Sequence, residues 1–186
     1  MEQARAAAEL KKILDAFLEA KKSLWPAAVD AVTAALGKGG KIVLFGNGGS
    51  AAEAQHFAAE LINRFMKNRR AMPALALTTD TSSLTAIAND AAFEQVFSRQ
   101  VEALGRPGDV AIGLTTSGGS ANVIEGLKAA RAKGMTTVAL TGEGGLQSGA
   151  PADFLLDVAS RSTPRIQEAH LFLLHLLAEE IEKRLT

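Results

Sequence analysis

The stretch Lys41–Glu60, KIVLFGNGGSAAEAQHFAAE, limits what this chain can fold into more than any other part of it. Ile42 to Phe45 is a continuous apolar run, as expected of a strand covered on both faces. Gly46, Gly48 and Gly49 open backbone conformations closed to other residues, and Ser50 can cap the helix that begins there. A helix entered in this way offers unpaired N–H groups and the positive end of its dipole to an anion such as phosphate. His56 and Glu60 then stand four residues apart on one helical face. The turn is fitted to hold a ligand, and the helix to present groups that ionise or bind metal.

A strand covered on both faces needs neighbours. Ala74–Leu77, Val110–Leu114, Thr137–Leu140 and Phe154–Val158 read as four further strands. Helices are predicted between them at about Thr81–Ala88, Phe93–Leu104 and Ser120–Lys133, the last stopped by Gly134, and a long closing helix starts at Pro164. Strands alternating with helices predict an α/β fold: a five-stranded parallel sheet flanked by helices, with sites at the carboxyl ends of the strands. Two helices precede the first strand. Leu10, Ile13, Leu14, Phe17 and Leu18 mark one face of a helix from residue 2 to about 22, and Pro26 permits a second from about Trp25 to Leu36. With no sheet partner yet made, residues 1–36 are expected to pack at an oligomer interface.

At 186 residues and 47% hydrophobic content, residues 1–186 should form a single domain with a substantial core. Twenty basic and twenty acidic residues cancel, so no broad electrostatic attachment to nucleic acid or membrane is expected. The absence of Cys excludes disulfides and thiolate metal sites, in keeping with a reducing compartment. The start, MEQARAAAELKK, is charged where a secretory signal needs an apolar core, and no run approaches the roughly 20 apolar residues of a membrane span. A cytoplasmic protein is expected.

The tetrapeptide Gly48-Gly49-Ser50-Ala51 recurs as Gly118-Gly119-Ser120-Ala121, each time between a predicted strand and a predicted helix. Thr115, Thr116, Ser117 and Ser120 place four hydroxyls in this second loop, beside two glycines that let backbone N–H groups face a ligand. Neither loop carries the Lys of a P-loop or the G-x-G-x-x-G of a dinucleotide site. The spacing of His56 and Glu60 suits one metal or one substrate, and equally an ordinary pair at the edge of a core. Glu53, near the helix start, is expected to be solvated. On the closing helix, His175 lies among leucines and should be buried with a partner, while His170 is expected to make a structural or solvent contact. Gln167 and His175 are eight residues apart, roughly 12 Å along a helix axis. Either the two side chains lean toward each other or they reach a shared centre from different subunits.

Taken together, FGNGGSAAEAQHFAAELINRF, AIANDAAF, GLTTSGGSANVI and RIQEAHLFLLHLL closely resemble the SIS-domain sugar isomerases, specifically the phosphoheptose (sedoheptulose 7-phosphate) isomerase family. The resemblance implies a flavodoxin-like or Rossmann-like three-layer sandwich, a homotetramer, and interconversion of sedoheptulose 7-phosphate with glycero-manno-heptose 7-phosphate at the start of bacterial heptose synthesis. It assigns Glu60 as general base and His175 as general acid. It gives phosphate binding to Thr115, Thr116, Ser117 and Ser120, with Asn47, Gly48, Gly49, Ser50, Arg64, Asn89, Asp90 and Gln167 lining the sugar site. In zinc-containing members the ligands are the residues that here are His56, Glu60, Gln167 and His175. Where some members carry an Asp three residues before the Gln, this chain has Pro164. Asn63-Arg64-Phe65 and LTAIAND look more like a sister group, a non-catalytic SIS protein that binds the bacterial replication initiator. That group lacks the acid and base pair, and this chain has both as Glu60 and His175.

Overall fold

The strands β1 (Ile42–Gly46), β2 (Ala74–Ala76), β3 (Val110–Thr115), β4 (Thr136–Thr141) and β5 (Phe154–Asp157) pair in parallel in the order β2-β1-β3-β4-β5. The computed structural model describes residues 1–147 and 152–186. Because side chains alternate along a strand, each central strand feeds two cores. Ile42, Leu44, Ile112, Leu114, Val138 and Leu140 face one layer, made of α1 (Glu2–Ala20), α2 (Leu24–Gly37), α3 (Gly49–Ile62) and α7 (Thr163–Leu185). Val43, Phe45, Ala111 and Ala139 face the other, made of α4 (Thr81–Asp90), α5 (Ser98–Leu104) and α6 (Ala121–Ala132). The expected sheet and its helical covering are present.

The apolar face of α1 is partly used within the chain: Ile13 and Phe17 are buried in its core, with Phe17 meeting Trp25 edge-on at 6.0 Å, while Leu18 is left exposed. Although α1 precedes every strand, α7 returns to cover it. The helix expected over Phe93–Leu104 is broken into a 3-10 turn, Phe93–Gln95, and α5. In one straight helix Val96, Phe97 and Val101 would spread over roughly 140° of circumference. The break lets all three enter the core, where Phe97 stacks on Phe45 at 5.3 Å.

Register sets up the site. Gly46 pairs with Leu114, so the loops that leave β1 and β3 emerge side by side at the carboxyl edge of the sheet. From that edge α3 runs back along the layer it shares with α7.

Candidate functional site

Two turns into α3, His56 and Glu60 project toward α7. His56 Nε2 lies 3.4 Å from Glu60 Oε1 and 2.9 Å from His175 Nε2. The rings of His56 and His175 meet edge to face at 5.1 Å, and the Phe65 ring stacks on the far side of His175 at 5.5 Å, inclined by 25°. Burial and the neighbouring His56 push the His175 imidazole below its ordinary proton affinity, with Glu60 acting against them. His175 is thus only half-buried. It is His170 that is fully enclosed, its Nε2 at 3.1 Å from the Thr141 carbonyl and its Nδ1 without a partner among the described residues. The expected burial belongs to the other histidine, since α7 turns residue 170 to the sheet and residue 175 to α3.

The two repeated loops differ in how they are finished. At the first, Gly48 has φ +57°, a conformation that favours glycine, and a Cβ at Gly49 would fall 2.4 Å from Gln167 Nε2. Gln167 therefore lies directly on the backbone at the start of α3. At the second, Thr115 Oγ1 and Ser120 Oγ are 2.9 Å apart, and the Gly119 N–H donates to Ser117 Oγ at 3.2 Å. The loops are joined by a reciprocal amide pair, Asn47 with Asn122, both bonds 2.8 Å. Asn47 also borders a cavity of about 180 Å3 with Gly46, Gly48, Leu84 and Phe93.

The remaining sugar-site candidates are not drawn into the cluster. Asn89 donates to Asp90 at 2.7 Å on the exposed end of α4, in the opposite helical layer. Arg64 is exposed and has no hydrogen-bond or ion-pair partner among the described residues. Glu53 contradicts its expected solvation: it is 8% exposed, its Oε2 has no partner among the described residues, and burial pushes its carboxyl up to about 7 against a weaker opposing effect of the Ser50 hydroxyl. Sequence reasoning also missed Asn122, Gln147, Phe65, Arg69 and Glu182. Only Asn122 left a signal, at the start of the helix after the second loop. Gln147 donates to the Ser117 carbonyl at 3.1 Å, a contact that no motif announces.

Zinc was expected on His56, Glu60, Gln167 and His175. Two nitrogens on one tetrahedral zinc, each at about 2.0–2.1 Å, stand roughly 3.3 Å apart. The separations around His56 Nε2, 2.9 and 3.4 Å, bracket that value. Both distances share the same atom, however, and among the described residues no three His, Asp or Glu side chains close around one point as a finished metal centre does. His56, Glu60 and His175 are donors of a kind that zinc accepts, while Gln167 is placed against Gly49 at the start of α3.

Residues 7–142 match the SIS domain family model. The chain is 61% identical over 148 residues to a phosphoheptose isomerase of Desulfovibrio desulfuricans, covering 80% of this chain and 70% of that one. It is 58% identical over 152 residues to the phosphoheptose isomerase of Aquifex aeolicus, covering 82% and 80%. Among solved structures, the phosphoheptose isomerase of Neisseria gonorrhoeae superposes with a TM-score of 0.84 at 47% identity, over 98% of this chain and 100% of that one.

Proposed function

The chain belongs to the phosphoheptose isomerase family of SIS-domain proteins, and we propose on that premise that it interconverts sedoheptulose 7-phosphate and D-glycero-D-manno-heptose 7-phosphate. The observation that carries this reading is the meeting of a carboxylate from α3 and an imidazole from α7 around His56, on the helix that leads away from the first glycine loop.

Ketose and aldose differ in where one carbon-bound proton sits. Glu60 takes the proton from carbon 1, leaving an enediol, and a proton is returned to carbon 2. As charge builds on the ketone oxygen, His175 supplies a proton to it, and His175 takes back the proton of the carbon 1 hydroxyl as the aldehyde forms. A neutral imidazole suffices, because it still carries one N–H. The hydroxyls of Thr115, Thr116, Ser117 and Ser120, with the loop N–H groups, bind the phosphate and hold the carbon chain in register. Asn47, Ser50, Arg64, Asn89, Asp90 and Gln167 complete the sugar site. Zinc held by His56, Glu60, Gln167 and His175 would act as a Lewis acid toward the developing oxyanion. A carboxylate committed to a metal is a weaker base, so the two roles of Glu60 compete.

The reading extends to a cytoplasmic homotetramer with sites at subunit interfaces. It is supported by the openness of the cluster within one chain: the His56 side chain is 45% exposed, and Ile62, Met66 and Phe172 leave apolar surface on α3, the loop after it and α7. No described helix is long and apolar enough to cross a membrane.

The test is conversion of sedoheptulose 7-phosphate followed by product analysis, with Glu60→Gln beside the unaltered protein. Loss of a general base slows turnover by roughly 100- to 10,000-fold. Near-normal turnover in this variant removes Glu60 from the chemistry. Absent conversion by the unaltered protein, together with capture of the bacterial replication initiator, would favour the sister group that Asn63-Arg64-Phe65 resembles.

A further inference from the structure

Behind the histidine cluster lies a buried ion pair with no role in the reaction described above. Glu182, on α7 two turns beyond His175, is 1% exposed. Its carboxylate accepts from the backbone N–H groups of Phe65, Met66 and Lys67, each at 2.9 Å, and from Arg69 Nε at 3.0 Å. Arg69 is equally enclosed, with its side chain 2% exposed. Its other nitrogens donate to the carbonyls of Glu60 and Leu61, both at 2.7 Å.

These carbonyls are in the last turn of α3, where a helix leaves them without internal partners. Arg69 thus grips the backbone of Glu60 itself. Glu182 grips the backbone of Phe65, whose ring is stacked on His175. The pair joins the two helices that bring the proposed base and acid together, one end holding the backbone of the base and the other the backbone of the residue stacked on the acid. Burial acts to raise the Glu182 carboxyl, but the three N–H bonds and Arg69 outweigh it and hold the group below the ordinary carboxylate range. The clamp is therefore charged and closed at neutral pH.

We propose that Glu182 and Arg69 are positioning residues, which set the placement of Glu60 against His175 through the Glu60 carbonyl and the Phe65 ring. The inference rests on the isomerase reading for its catalytic consequence, and on geometry alone for its effect on the ring. Neither residue touches substrate. A displacement of about 1 Å between reacting groups costs on the order of 100-fold in rate, so a clamp of this kind matters more to turnover than to substrate binding.

Removing one partner strands a buried charge and risks unfolding, so the informative variants are Arg69→Met with Glu182→Gln together, which removes the charge pair, and Phe65→Leu, which removes only the stack. Each should lower kcat about 10- to 100-fold with KM within about twofold, and Phe65→Tyr, which keeps an aromatic face on His175, should restore most of the loss. A second readout needs no catalysis: the ring protons of His175 carry a ring-current displacement from Phe65, visible by NMR, which Phe65→Leu abolishes and the double variant reduces. Folded variants with unchanged kcat and an unmoved His175 signal would overturn the proposal. If the unaltered protein converts no sugar phosphate, the isomerase reading falls, while the His175 signal still decides whether the clamp places the ring.

Discussion

Two buried titratable residues, neither of them at the centre of the chemistry, should shape how the stability of this protein depends on pH. The Glu53 carboxyl is pushed up to about 7 by burial, from an ordinary 4.5. Between those values the unfolded chain has lost its proton while the folded one keeps it, so stability falls as pH rises through that window. Burial pushes His170 the other way, from 6.5 down to about 4, with its bond to Thr141 opposing. There the unfolded chain takes up a proton that the folded one refuses, so stability falls as pH drops from 6.5 to 4. Where the windows overlap the slopes oppose, and the contributions of these two residues should largely cancel. Glu53→Gln should leave stability rising with pH across the overlap, and His170→Gln should leave it falling, each by at most about 3 kcal/mol. Urea midpoints at the two ends of the overlap measure this. The Glu53 environment was not legible in the sequence. A helical wheel gives the angle between Glu53 and its neighbours, but the width of the face that α7 covers depends on packing between residues far apart in sequence.

Among elements, α3 and α7 carry the site, and the sequence revealed them unequally. The strand, turn and helix from Lys41 to Glu60 could be read directly because local chemistry decides them: an apolar run, glycines, a cap. The contact of α7 with α3 could not. Leucines surround both His170 and His175, and only the tertiary arrangement sends one to the sheet and the other to His56. The Arg69–Glu182 clamp was equally hidden, since nothing in an isolated Glu on a terminal helix announces that it ends a loop 113 residues earlier. Breaking that pair by Glu182→Ala alone should cost about 3–5 kcal/mol, because it leaves the Arg69 charge enclosed. Gly49 tests the other end of the contact. A methyl there meets the side chain of Gln167 at 2.4–2.9 Å, and the far end of a glutamine can move aside. Gly49→Ala should therefore keep the fold, seen as an unchanged melting transition, and raise KM for the sugar phosphate several-fold as Gln167 leaves its place.

For the molecule as a whole, the parallel sheet and its helical covering on both faces followed from periodicity, whereas the strand order and the completeness of the site did not. In one chain Glu60 and His175 converge, but Arg64 points to solvent and Asp90 lies in the opposite layer. Clefts of about 420 and 450 Å3, one beside β2 and one between α1 and residues 159–162, are lined by none of the three clustered side chains. An assembly in which a neighbour supplies Asp90 or Arg64 predicts complementation. Glu60→Gln and Asp90→Ala, each inactive alone, should regain measurable isomerisation when unfolded and refolded together, and not when merely mixed under conditions that keep assemblies intact. No recovery on co-refolding would place all the groups within one chain. Light scattering should give about four times the 19.4 kDa of the chain.

The imidazole pair closes a span of 119 residues, and contacts so distant along the backbone are among the last to form. A refolding molecule that has wound its first strand and helix already owns a carboxylate and an anion cradle, yet it is inert. Recovery of enzyme activity should lag behind recovery of the helical circular-dichroism signal, so premature chemistry on a half-made scaffold is denied by topology alone.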